Sequence, residues 1–253
     1  MVPTSLRPLS VGEILDVSFT LYRRHFATLG TIAVACSGLP VLLSLYIEAS
    51  GGILFNLQLA VVHYVVFTVL SSIATAATVF VVSESYLGRP LPAVDALRRA
   101  TPLLSRLIAC SLLLAIVVGF GLICFLVPGI VLLCGLVLAF PSLVLEPGSS
   151  PTQALSRSWS LTRGSRWRMF GLLVTMVILL YVPLIGLGAI ATVVLPSGGP
   201  RVAPGIVTLA VVGVVQMLLY PLFYCVLTVA YYDLRVRKEG FDLEVLASNL
   251  QPA

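Results

Sequence analysis

Long apolar runs alternate along this chain with short amphipathic stretches that carry nearly all of its charge. A hydrocarbon core ~30 Å thick takes about 20 helical residues to cross. Six runs read as spans: residues 27–47, 53–83, 107–126, 130–145, 169–195 and 205–232. The second is longer than a perpendicular crossing needs, so it must tilt or project beyond the bilayer. The pattern predicts an all-α, polytopic integral membrane protein. It forms one transmembrane domain over residues 1–253, with an amphipathic segment at 1–26, a six-helix bundle at 27–232 and a polar tail at 233–253.

The amphipathic stretches share a layout. In the first, Val11, Ile14, Leu15, Phe19 and Tyr22 oppose Glu13, Asp16, Arg23 and Arg24, and Ser10 with Glu13 has capping-box spacing. This helix, 11–26, is expected to lie along the cytoplasmic surface. Pro92, Asp95, Leu97 and Arg106 repeat the spacing of Ser10, Glu13, Leu15 and Arg24, a period near 80 residues. Residues 92–106 and 151–168 are therefore expected as further surface helices. The chain then reads as three units of one surface helix and two spans, although the third copy needs a one-residue gap and coincidence is the alternative. Val127, Pro128 and Gly129 suit a tight turn between the third and fourth spans, since proline fixes φ and glycine permits positive φ. Residues 196–204 are expected as an external loop. Gly240 is expected to end a helix, with a short one starting at Phe241.

Composition narrows the class. The chain is 59% hydrophobic and 10% charged, with mean hydropathy +1.09, whereas soluble domains carry about a quarter charged residues. The net charge of +5 comes from bases placed between apolar runs, not on one soluble face, which argues against a nucleic-acid partner. With the N-terminus inside, every one of the 15 Arg and Lys residues except Arg201 falls on the cytoplasmic side. The expected location is a bacterial cytoplasmic (inner) membrane, with both termini in the cytoplasm. All five cysteines lie in apolar runs without metal or redox spacing, so they read as packing residues.

Little in the spans points to chemistry. No HExxH, GxSxG, P-loop or intramembrane carboxylate pair occurs, so no catalytic residue, cofactor or metal site is expected. His63 lies inside the second span. It could titrate or bind a polar ligand, or simply donate to a neighbouring helix; Gln216 carries the same pair of readings. Pro40, Pro141, Pro183 and Pro221 fall in four spans, where they kink helices or free carbonyls for a site. Ser71, Thr75 and Thr78, with Ala74 and Ala77, form a small-residue stripe suited to close packing. Arg157, Arg163, Arg166 and Arg168, with Trp159 and Trp167, are candidates to hold anionic headgroups, or they serve only to set topology. Glu146 is placed to pair with one of these arginines or to cap a span. Asp233 and Arg237 are spaced for an i,i+4 pair.

Three passages carry a resemblance: RPLSVGEILDVSFTLYRRHF from Arg7, LVLEPGSSPTQALSRSWSLTRG ending at Gly164, and YYDLRVRKEGFDLE from Tyr231. Together with the Pro-Gly pair after the third span, they are similar to the family named for the membrane domain of glycerophosphoryl diester phosphodiesterases. In that family's named members a soluble phosphodiesterase barrel follows the membrane part. A chain ending at Ala253 has no room for a barrel of about 250 residues, so the resemblance implies topology and no catalytic residue. Three functions stay open. The chain is expected to be a non-enzymatic scaffold or accessory subunit that contacts anionic lipid, a partner protein or a second copy of itself. A small transporter or channel is the first alternative, and a lipid-metabolism enzyme, suggested by the family name alone, is the second.

Overall fold

The computed structural model describes residues 8–53, 56–194 and 204–240. Arg7, Arg201 and the expected helix at Phe241 lie outside the described residues. All regular structure among them is helical: α1 (Val11–Arg24), α2 (Phe26–Ala49), α3 (Leu57–Tyr86), α4 (Ala93–Ala100), α5 (Leu104–Cys124), α6 (Leu126–Leu136), α7 (Ala139–Leu145), α8 (Pro151–Thr162), α9 (Arg166–Val194) and α10 (Pro204–Glu239). Six helical stretches are long and apolar enough to cross a bilayer, namely Phe26–Ala49, Leu57–Tyr86, Ala93–Cys124, Leu126–Leu145, Arg166–Ile190 and Ile206–Glu239. The protein is a multi-pass membrane protein.

α1 begins at the expected capping box. Ser10 Oγ accepts from the Glu13 N–H at 3.3 Å, and the Glu13 carboxylate accepts from the Ser10 N–H at 2.7 Å. The helix does not spread away from the bundle on a surface. Leu9 meets Asp233, Leu15 and Phe19 share a cleft with Leu222 and Val226, and the Tyr22 hydroxyl donates to the Leu218 carbonyl. Successive turns of α1 thus meet successively earlier turns of α10. The face Ile14, Ser18, Tyr22 is buried there. An amphipathic helix needs an apolar partner, and here the last helix supplies one that a surface reading assigned to lipid.

The turn expected at Val127, Pro128 and Gly129 lies elsewhere. Phe125 is the extended residue, with φ −158° and ψ 133°, and Pro128 and Gly129 sit in the first turn of α6. Pro128 costs nothing there, because first-turn N–H groups have no acceptor within the helix. Gly129 serves close approach: a Cβ at this position would stand 2.7 Å from Leu122 Cα. α5 and α6 therefore meet backbone to backbone.

The fourth span is two helices, not one. Pro141 has no N–H to offer Val137 and its ring would clash with that carbonyl, so the chain breaks between α6 and α7. α8 folds back antiparallel over the break and repairs it. Ser158 Oγ donates to the Gly135 carbonyl at 2.9 Å and accepts from the Leu138 N–H at 3.2 Å, and Thr162 Oγ1 lies 3.0 Å from the same carbonyl. The other two expected surface helices are also shorter than foreseen. α4 stops at Ala100, and a 3-10 turn, Thr101–Leu103, feeds α5, which carries Arg106. α8 stops at Thr162, so Arg166, Trp167 and Arg168 belong to α9.

Packing is concentrated at one end, the end where Leu9 meets Asp233. In α3 the buried residues start at Ser72 and include Ala74, Thr75, Ala77 and Thr78 of the small-residue stripe. α9 buries Met169, Leu172 and Met176, and α10 is buried almost continuously from Tyr224 to Leu234. The opposite ends of the same helices face outward. Four of the five cysteines are buried, and Cys124, at the α5–α6 reversal, is exposed.

Candidate functional site at the basic end

Two carboxylates organise the packed end. Asp233, on α10, is buried and accepts from the Leu9 N–H at 2.7 Å and from Arg168 Nη1 at 2.6 Å. Arg237 Nε donates to both of its oxygens, at 3.2 and 3.1 Å. Both arginines also donate to the Leu9 carbonyl. The segment before α1, the start of α9 and the end of α10 are thereby tied at one point. Asp233 and Arg237 form the i,i+4 pair that their spacing allows, but the pair is not a solvated one: Arg168 is a third member, and the carboxylate has no exposed surface. A buried carboxylate is tolerated only when its charge and lone pairs are met, which two arginines and a backbone donor do.

Glu146, just past α7, forms the second centre. Its Oε1 accepts from Arg157 Nε at 2.7 Å and from the Tyr231 hydroxyl at 2.9 Å. Arg157 continues to Glu239, which also takes Arg235 at 3.1 Å. Burial pulls down the Arg157 pKa, but Glu239 and Glu146 outweigh it and hold the guanidinium above its usual range. Lys238 donates to the Ser160 and Arg163 carbonyls, closing the C-terminal end of α8, where a cation also complements the helix dipole. At its other end α8 carries a capping box between Ser150 and Gln153.

The headgroup candidates therefore divide. Arg157 and Arg168 are held in ion pairs. Arg166 stacks on the Trp159 ring, 3.7 Å from its centroid, and Trp159 in turn packs on Gly135, where a Cβ would come within 2.4 Å of the ring. Arg163 is exposed, and Trp167 is 85% exposed against Phe170. Of the two tryptophans, one is a packing residue and the other projects outward. Tyr231 was invisible as a site member in the sequence because its partner Glu146 lies far along the chain, whereas the Arg235–Glu239 and Ser150–Gln153 spacings were readable signals.

His63 and Gln216 come together elsewhere. They line a cleft of about 220 Å³ between α2, α3 and α10, with Ser37, Ser44, Phe67 and Tyr220. Next to it Thr75, Tyr220 and Tyr224 hydrogen-bond to one another, on the side of the packed end. Chemically, the basic end offers exposed guanidinium groups around a self-satisfied core of ion pairs, and the cleft offers neutral polar groups.

The family described as the membrane domain of glycerophosphoryl diester phosphodiesterase matches residues 111–249, just over half of the chain. No curated protein and no solved structure matches. The matched segment runs from within α5 through α10, so it contains Glu146, Arg157, Arg168, Asp233 and Arg237, while Leu9 and His63 precede it. With six apolar spans and both carboxylate centres inside or joined to that segment, the chain belongs to the family of the membrane domain of glycerophosphoryl diester phosphodiesterase.

Proposed function

We propose that the protein is a non-enzymatic scaffold or accessory subunit of a bacterial cytoplasmic membrane, with both termini in the cytoplasm and its basic end against anionic headgroups or a partner protein. The observation that carries this reading is a division among the bases. Arg157, Arg168 and Arg237 are spent on carboxylates, whereas Arg24, Arg98, Arg106 and Arg163 are exposed and make no ion pair among the described residues. Each base near an anionic leaflet contributes about 1 kcal/mol, so these four alone make a sizeable attraction. The absence of enzymatic machinery is supported by the commitment of Asp233, Glu146 and Glu239 to arginine partners. The positive-inside rule supports the orientation.

Two measurements test it. In a chain without native cysteines, a membrane-impermeant maleimide applied to intact cells is expected to label Ser50→Cys and to leave Ser149→Cys unlabelled; the reverse result rejects the orientation. Replacing Arg98, Arg106 and Arg163 together by glutamine is expected to leave the protein inserted and to lower co-purified phosphatidylglycerol and cardiolipin several-fold. Unchanged anionic lipid in a folded variant reduces these arginines to topology determinants.

A further inference from the structure

The cleft between α2, α3 and α10 holds polar groups without a bonding partner among the described residues. Half-buried Ser37 and His63 and the exposed Gln216 line it, and none of the three has a hydrogen-bond partner among the described residues. Water is scarce at membrane depth, and a polar side chain left without a partner there is costly. A proline adds to the demand: Pro221 leaves the carbonyl of Met217, which lines the cleft, without its helical donor. The lining also contains no Asp, Glu, Lys or Arg. A charged headgroup would find no counter-charge here, while a neutral molecule with both hydroxyl donors and carbonyl acceptors would meet His63, Gln216 and the freed Met217 carbonyl.

Position narrows the ligand further. His63 lies six residues into α3, roughly 9 Å from its first turn, at 1.5 Å per residue. A headgroup region is roughly 5–7 Å thick on each side of the hydrocarbon, so this depth is close to the boundary where glycerol and ester groups reside. From there the cleft runs past Phe67 to Ser71 and Tyr220, deeper into the bundle. Its flanks are apolar and outward-facing, with Val62, Tyr64 and Val65 exposed beside His63. The opening is thus lateral, toward lipid.

We infer that this cleft is a binding site for a neutral glycerolipid of the diacylglycerol type, entered from the leaflet opposite the basic end. The glycerol hydroxyl and ester carbonyls sit among His63, Gln216 and Ser37, and one acyl chain follows Phe67 toward Tyr220. Phosphatidylglycerol shares the ester groups but brings a phosphate that nothing in the lining neutralises. The site is independent of the scaffold reading, which concerns the other end of the molecule.

The test uses the full chain in vesicles of phosphatidylcholine doped with diacylglycerol that bears a diazirine on one acyl chain. After photolysis, peptide mass spectrometry maps the adducts. Adducts at cleft residues are expected to exceed those at the lipid-facing Ile116 and Phe120 of α5 at least five-fold, and unlabelled diacylglycerol should compete them away while phosphatidylglycerol does not. The double variant His63→Leu, Gln216→Leu should lose the cleft adducts and keep the background on α5, with an unchanged melting temperature in detergent showing that it is folded. Adducts spread evenly over the outward faces, or equal competition by phosphatidylglycerol, would overturn the assignment. The competition arm needs no variant, so a misfolded mutant does not rescue the proposal.

Discussion

Along α3, Leu57, Val61, Val62, Tyr64 and Phe67 face outward in the first turns, whereas Ala74, Ala76, Ala77, Val79 and Val82 are buried in the last. Both halves are apolar enough to belong to one span. What separates them is side-chain size and bonded polarity. The buried half has alanines that let neighbouring backbones close in, and two of its hydroxyls bond across helices, Thr75 to Tyr220 and Ser83 to Tyr232 at 2.6 Å, although the Thr78 and Ser85 hydroxyls are buried without a partner among the described residues. The outward half has large exposed side chains, with only the open cleft of His63 and Phe67 facing α2 and α10. In a bilayer, lipid tails are as apolar as leucine, so hydrophobicity alone drives no helix together; close packing and hydrogen bonds do. α5, α9 and α10 follow the same division, and the ion pairs of Asp233 and Glu146 lie at the packed end.

If that division is right, substitutions of similar size should differ sharply in cost between the two ends. The largest effect is expected at Asp233→Leu, which strands Arg168, Arg237 and the Leu9 N–H; breaking a buried pair on one side costs about 3–5 kcal/mol, read as lost thermal stability in detergent. Gly135→Val comes next. It drives a side chain into the Trp159 ring and should cost about 1–3 kcal/mol, with quenching or shift of tryptophan fluorescence as a second readout. Ser158→Ala removes the donor and acceptor that bridge the break between α6 and α7, for about 1–3 kcal/mol. A double-mutant cycle with Thr162→Val should be non-additive, because both hydroxyls serve the Gly135 carbonyl. Smallest is Ile123→Ala on the 86% exposed tip of α5, expected within about 0.5 kcal/mol. A large loss at Ile123 would mean that this face is covered by protein, and the comparison would fail there.

The spans were legible because length and unbroken hydropathy are local properties. So was the Ser10–Glu13 box, and so was the proximity of Asp233 to Arg237, one helical turn apart. Arg168 and Leu9 could not be read as partners of Asp233, since nothing local relates positions so distant in the chain. The Pro-Gly pair misled for a physical reason: proline suits a turn and the first turn of a helix equally well, and at Gly129 the choice was made by contact with Leu122. Pro92 misled in the opposite sense. It occupies the cap position of α4 but has no side chain to accept a hydrogen bond, so the apparent repeat of the first capping box has no cap bond. The arginine cluster around Arg157 looked like one surface because its members are close in sequence, but α8 and α9 point them at different partners.

The clasp of Leu9 onto Asp233 also sets an order of assembly. Its two ends are 224 positions apart, and a ribosome adding about 5–20 residues per second needs about 11–45 s to make the second after the first. Throughout that interval Ile14, Ser18 and Tyr22 have no α10 to bury them. The first helix to be synthesised is therefore among the last to find its place, and its docking reports that the final helix has been inserted the right way round.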